Sequence, residues 1–284
     1  MQTVRAWSGD YAPSMGAALS FYTLFSIVPL LLIALVVAGH FYGPNAARGE
    51  IVSQLSELMG QTGAQAVDGL IASANNTERR TVATGLGIVV FLVGATSVFN
   101  ELQDSLNRIW RAPKSTKAMG LFSLLRARLL SFGLVVAFCF LLLVSLLMSA
   151  ALSTLGKWWG PMFGNRALLA QSVNVFISFI LITVMFALLY KIIPQKKVRW
   201  DDVWIGAAIT SMLFAVGKQL IGIYLGRSIT VSAFGAVGSL AVFLLWVYYS
   251  AQIFLLGAEF TRLYAGVRAG NMTEPPSKGD EPKR

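Results

Sequence analysis

Cysteine, histidine and acidic side chains are all scarce in this chain. One cysteine, Cys139, and one histidine, His40, stand among 284 residues. An internal disulfide is therefore excluded, and a structural or catalytic zinc site lacks its ligands. Cys139 lies within a long apolar run and reads as a small buried apolar group. Charged residues make up only 13% of the chain, against about 25% in a soluble domain. No phosphate loop of the G-x-x-x-x-G-K-[ST] kind occurs. A nucleophile and its base would have to be built from serines without a histidine, which argues against an enzyme. The acidic pair Asp201–Asp202 precedes an apolar run. Aspartates there cap free helix amides and meet the positive end of the dipole, a simpler reading than a metal site. No cofactor and no metal are expected.

What is abundant is apolar sequence, at 56% of residues. It falls into six stretches, at 18–41, 82–103, 129–155, 168–193, 203–224 and 240–264. A hydrocarbon core of about 30 Å needs about 20 helical residues, and each stretch has that length. Basic residues fill alternate gaps between them. One side holds Arg5, a loop with Arg108, Arg111, Lys114, Lys117, Arg126 and Arg128, a loop with Lys191, Lys196, Lys197 and Arg199, and the tail with its five. The other side holds Arg48, Arg79, Arg80, Lys157, Arg166 and Arg227. Sixteen basic residues against six orient the chain by the positive-inside rule. The expected fold is all-α: a polytopic membrane bundle of six transmembrane helices with both termini in the cytoplasm. The net charge of +10 then serves orientation and anionic headgroups, and nucleic acid is not an expected partner.

Residues 1–17 form a cytoplasmic N-terminal segment in which Trp7 and Tyr11 suit the interface. The first stretch is too long for a signal peptide, carries Pro29 and lacks a convincing cleavage site, so it is expected to stay as a helix. Residues 18–265 make the transmembrane domain, whose outer loop at 42–81 shows helical spacing of Ile51, Leu55, Leu58, Met59, Val67, Leu70 and Ile71. Amphipathic helices are expected there, over the outer mouth or on the headgroups. Residues 225–239 read as a short outer loop or shallow re-entrant turn, and residues 266–284 as a disordered cytoplasmic tail with Pro275, Pro276 and Pro282.

Polar side chains inside spans are informative because each one needs a partner or water. Ser97, Asn100, Glu101 and Asp104 share one face of the second span. Tyr249, Gln252 and Glu259 do so approximately in the sixth, and Ser20, Thr23 and Ser26 sit one turn apart in the first. The predicted topology puts all three stripes in the cytoplasmic half of the bilayer, as a cytoplasm-facing cavity requires. Glu101 and Glu259 fall near helix C-termini, where the dipole disfavours a carboxylate. They need cations, and the candidates are Arg108, Arg126, Arg128 and Arg262. Two readings stand side by side: ion pairs that fix helix order, or a pocket for substrate or proton coupling. Pro29, near the midplane, bends its helix as a static kink or a hinge, with Ser26 helping to satisfy the freed carbonyl. Lys218 is expected to snorkel outward. Gln171, Asn174 and Ser178 read as interhelical glue, ahead of an outer vestibule, and Gly85, Gly87 and Gly94 as sites of close helix packing.

The run Ala18-Leu-Ser-Phe-Tyr-Thr-Leu-Phe-Ser-Ile-Val-Pro-Leu-Leu31 resembles the first span of the YihY/BrkB family of bacterial inner-membrane proteins. Phe99-Asn-Glu-Leu-Gln-Asp-Ser-Leu-Asn-Arg-Ile-Trp110, Phe234-Gly-Ala-Val-Gly-Ser-Leu240, Leu245-Trp246 and Gly257-Ala-Glu-Phe260 are similar to its other landmarks. The family's old ribonuclease BN label is widely regarded as a misassignment, and no hydrolytic metal site can be assembled here. The resemblance implies an inner-membrane location and envelope lipid phenotypes. Those suggest a transporter or flippase-like carrier of a lipid, amphiphile or small solute. A non-transporting envelope scaffold is the alternative, and a ribonuclease the least supported. Membrane lipids are the expected partners; the substrate and oligomeric state are not legible.

Overall fold

The structure is a computed structural model that describes residues 2–75, 80–113, 133, 166–196, 198–227, 235–268 and 270. Among the described residues the regular structure is entirely helical. In chain order these are α1 (Gln2–Gly9), α2 (Ala12–Tyr42), α3 (Pro44–Asn75), α4 (Arg80–Ile109), α5 (Arg166–Ile192), α6 (Trp200–Arg227) and α7 (Gly235–Arg268). Five of the six apolar stretches thus fall within one helix each. The stretch at 129–155 lies outside the described residues, apart from Gly133, and so do Cys139, Arg126, Arg128 and most of the tail at 266–284. Among the described residues three helices are long and apolar enough to cross a bilayer: α5 over Val175–Ile192, α6 over Trp200–Tyr224 and α7 over Leu240–Arg268. Their outer surfaces agree. Val175, Phe176 and Ile180 of α5 are exposed, as are Met212, Val216, Leu220 and Ile223 of α6. In water such a belt would be an aggregation surface; in hydrocarbon it is the lipid contact.

The helices meet around one main apolar cluster. Leu106 and Ile109 of α4, Phe186 and Tyr190 of α5, Val203 and Ala207 of α6, and Phe254, Leu255 and Ala258 of α7 are among its buried members. Without a hydrophobic drive between helices in lipid, close backbone approach needs small residues. The α6–α7 crossing supplies them reciprocally. A Cβ on Gly206 would lie 2.7 Å from Thr261 Cβ, and one on Gly257 would lie 2.9 Å from Thr210 Cβ. Each threonine hydroxyl bonds the carbonyl of its own helix's glycine, Thr210 to Gly206 and Thr261 to Gly257, both at 2.7 Å. Tyr190 closes the crossing from α5. Its hydroxyl donates to Phe254 O at 2.7 Å and lies 3.0 Å from Thr210 Oγ1.

Elsewhere, Gly94 of α4 meets the backbone of α2, where a Cβ would lie 3.1 Å from Ser26 N. The segment α3 is two helices joined at Gly60, whose φ of 76° and ψ of 169° only glycine adopts readily. Arg48 and Asp68 pair at 2.6 Å, although 20 residues of straight helix would hold them roughly 30 Å apart. The chain therefore doubles back at Gly60. Its second arm buries Val67 and Ile71 against Leu31 of α2 and Phe243 of α7. The α3 helices are thus packed into the bundle as well as carrying a polar face. α2 runs as one helix through Pro29. The predicted outer loop at 225–239 is shorter than expected, since α6 continues through Arg227 and α7 begins at Gly235.

Candidate functional site

The end of the bundle built by the α1–α2 turn, the C-terminus of α4 and the last turns of α7 carries an ion cluster. α1 closes at Tyr11, a left-handed residue with φ 60° that also caps α2. This tight corner turns Asp10 inward, leaving it 4% exposed. α4 ends in a Schellman motif: Arg111 N donates to Arg108 O at 3.2 Å and Ala112 N to Asn107 O at 2.9 Å. Position C′ of that motif wants glycine, yet Arg111 holds it at φ 50°. What the arginine gains there is reach, since its Nη2 lies 2.9 Å from Asp10 Oδ1. Arg108, one turn earlier, places its guanidinium 5.2 Å from the Tyr11 ring centre. Two bulky residues in left-handed backbone, each costing about 1–3 kcal/mol, thus flank one carboxylate.

Glu259 comes to the same place from α7. It is fully buried. Arg262, one turn on, donates through Nε at 3.0 Å and Nη2 at 2.8 Å to Glu259 Oε2. Of the four candidate cations, Arg262 is therefore the one seen paired with a predicted glutamate. Arg108 is turned to Tyr11, and Arg126 and Arg128 lie outside the described residues. Asp10 Oδ2 and Glu259 Oε1 are both buried without a donor.

The three predicted stripes part company. Those of α2 and α7 meet. Gln252 lies over Gly16, where a Cβ would be 3.0 Å from its Cδ. Its Nε2 donates weakly to Ala12 O at 3.4 Å while its Oε1 is buried without a partner. Ser20, one turn beyond Gly16, is buried and returns its hydroxyl to Gly16 O at 2.8 Å. Thr23 bonds Leu19 O at 2.7 Å. Ser26 bonds Thr23 O at 3.0 Å, rather than the carbonyl that Pro29 frees. The α4 stripe points elsewhere. Leu106 and Ile109 are buried, whereas Asn100, Asp104 and Arg108 are exposed. Ser97 bonds Val93 O at 2.8 Å, and Glu101 sits half-exposed at the border of the two faces. Glu101 and Glu259 therefore do not share one open pocket here: Glu259 is closed into the ion cluster.

The acidic pair at the start of α6 sits in the helix's first turn and also meets a cation across the bundle. Asp202 Oδ1 lies 3.3 Å from Arg268 Nη1, and Asp201 Oδ2 lies 3.6 Å from Arg268 Nη2. Acid at a helix N-terminus and base at a C-terminus each suit the local dipole, so the contact clasps α6 to α7. Among the described residues no group of three metal-ligating side chains forms. Sequence reasoning passed over Asp10, Arg111, Tyr190 and the glycine–threonine pairs. Asp10 carried a signal, as the one acid in the N-terminal segment, and Gly-x-x-x-Thr occurs in both α6 and α7.

All-helical architecture, a lipid-facing apolar belt and small-residue crossings define a helical membrane protein. The chain belongs to the virulence factor BrkB family, whose profile matches residues 3–281. It is 30% identical over 263 residues to a UPF0761 membrane protein of Alcanivorax borkumensis, covering 91% of this chain and 58% of that one. A UPF0761 membrane protein of Halorhodospira halophila is 26% identical, covering 91% and 55%. One of Ralstonia nicotianae is 28% identical, covering 94% and 58%. The chain thus spans less than two thirds of the length of these curated relatives. No solved structure matches it.

Proposed function

We propose that this protein is a six-span bacterial inner-membrane transporter with both termini in the cytoplasm, moving an amphiphile along the polar face of α4. The observation that carries this reading is the exposure of Asn100 and Asp104 on a helix whose opposite side is packed into the core by Leu106 and Ile109. Polar groups turned outward from a spanning helix need water or headgroups. A lipid headgroup passing along that face would supply the polar partner while its tails stay in hydrocarbon. A laterally open stripe of this kind suits an amphiphile better than a soluble solute, which needs a closed path.

Reconstitution into liposomes carrying an NBD-labelled phosphatidylethanolamine or phosphatidylglycerol tests the reading by dithionite quenching. The expected result is protein-dependent loss of the protected inner-leaflet signal, slowed at least about tenfold when Asn100→Leu and Asp104→Leu are combined. Those leucines favour membrane insertion, so loss of the fold does not explain the slowing. Flux no faster than in protein-free liposomes overturns transport of these lipids and leaves the envelope scaffold. Undiminished flux in the double variant removes α4 as the path.

A further inference from the structure

The exposed side of α6 changes character toward the start of the helix. Met212, Val216 and Leu220 give way there to Trp204 and Trp200, one turn apart and 45% and 46% exposed. An indole has a large apolar body and one N–H, so on the outside of a spanning helix it suits the headgroup level. Immediately before Trp200 comes the α5–α6 turn. Gln195 N donates to Asn107 Oδ1 of α4 at 2.9 Å, and Ile193 and Val198 are buried in the main apolar cluster. Pinned at these three points, the turn leaves Lys196 and Arg199 exposed. Lys191, in the last turn of α5, donates to Val198 O and sets its ammonium 5.0 Å from the Trp200 ring centre. One of its three N–H groups is used there, and two remain.

Charge is unbalanced at this place. The twelve residues from Lys191 to Asp202 hold four basic side chains and two acidic ones. Ion pairs among the described residues join Arg199 to Asp201, and Arg268 of α7 to Asp201 and Asp202. Lys191 and Lys196 take no part in them, so positive charge is left over beside the two indoles. We propose that the α5–α6 turn and the Trp200–Trp204 edge of α6 bind an anionic phospholipid such as phosphatidylglycerol. Its phosphodiester meets the cations of the turn, Lys196 foremost, the indoles flank its glycerol backbone, and its tails run along the exposed face of α6. A zwitterionic lipid brings its own cation against Lys196 and is disfavoured. A free phosphate has no use for two half-exposed indoles, so the aromatic pair singles out the lipid. The site is built from α5 and α6, not from Asn100 and Asp104 of α4, and stands whether or not the protein moves lipid.

Tryptophan quenching by acyl-brominated lipids tests the proposal on the full chain in phosphatidylcholine nanodiscs. Brominated phosphatidylglycerol is compared with brominated phosphatidylcholine at equal mole fraction and low salt. Each basic residue near an anionic lipid surface contributes about fivefold in affinity, so phosphatidylglycerol is expected to associate at least about fivefold better. Trp200→Phe with Trp204→Phe should abolish the excess quenching, because these indoles report the site. Lys191→Gln with Lys196→Gln should lower the preference at least about fivefold. Lys196→Gln alone, at an exposed side chain, should lower it at least about twofold and serves if the double variant folds poorly. Arg48→Gln in α3 should leave the preference unchanged, and inorganic phosphate at constant ionic strength should not displace the lipid. Equal quenching by the two lipids overturns the site. So does a preference that survives the lysine or the tryptophan variants, an equal loss in Arg48→Gln, or displacement by phosphate. Association is read here without flux, so a protein that moves no lipid still gives the expected result.

Discussion

The α6–α7 crossing is the tightest joint in the described bundle, and Gly257→Ala is the sharpest way to load it. The added methyl would lie 2.9 Å from Thr210 Cβ and 2.5 Å from the Tyr190 hydroxyl oxygen. Ordinary carbon contacts are about 3.5–4.0 Å, so relief requires α6 and α7 to separate by about 1 Å. A gap of that size forfeits roughly a quarter to a half of each contact's attraction along the seam. Separation also loosens the Tyr190 bond to Phe254 O, worth about 1 kcal/mol net. Overpacking alone costs about 1–3 kcal/mol, so a total near 3 kcal/mol is expected, about a hundredfold in the folding equilibrium. Equilibrium unfolding in mixed micelles with increasing dodecyl sulfate reads it directly. Adding Thr210→Gly to Gly257→Ala removes the opposing methyl and hydroxyl and should recover part of the loss, while Thr210→Gly alone should destabilise. Gly257→Ala with wild-type stability, or a double variant no better than the single one, would refute the crossing geometry.

Two more substitutions test backbone geometry. At Arg111, glycine suits the left-handed conformation but loses the pair to Asp10, while alanine keeps the strain and loses the pair too. Arg111→Ala should therefore be less stable than Arg111→Gly by about 1 kcal/mol, measured in the same micelle titration; equal stabilities would mean that the α4 C-terminus is not built on that motif. Gly60→Ala should destabilise α3 by about 1–3 kcal/mol because its ψ of 169° at positive φ is a region essentially confined to glycine. Arg48→Ala in the same segment should cost under about 1 kcal/mol, its ion pair being more than a third exposed on both sides. Limited proteolysis within Pro44–Asn75 should rise for Gly60→Ala far more than for Arg48→Ala, and the reverse order would sink the hairpin reading.

Helix positions were largely legible, because twenty apolar residues in a row leave few alternatives to a helix in lipid. The outer pair in α3 was legible from its spacing, though not its depth. Val67 and Ile71 are buried against α2 and α7, and periodicity cannot say whether an apolar stripe meets lipid or protein. The ion cluster was half legible. Glu259 and Arg262 are one turn apart and so announce each other. Asp10 and Arg111 are far apart in the sequence and are brought together by the fold, and no local pattern encodes that pair.

The α4 stripe shows what such patterns leave open. Spacing fixed that Ser97, Asn100, Glu101 and Asp104 share a face, but not where the face points, since both sides of α4 carry apolar residues. Glycine carries the missing orientation. In lipid a glycine inside a span is most useful where a neighbouring backbone comes close, so it marks the line along which the helix is touched. Gly94 marks the α2 side of α4. Glu101 lies seven residues on, about two turns along nearly the same line, which places it at the seam with α2 and explains its half-exposure. Asn100 and Asp104 are rotated off that line toward the open side and are exposed. The same rule sets Gly16 under Gln252 and sets Gly206 and Gly257 against Thr261 and Thr210. At these positions the glycines mark where a neighbouring helix comes close, and on α4 that line sets Glu101 at the border of the packed face while Asn100 and Asp104 stay exposed.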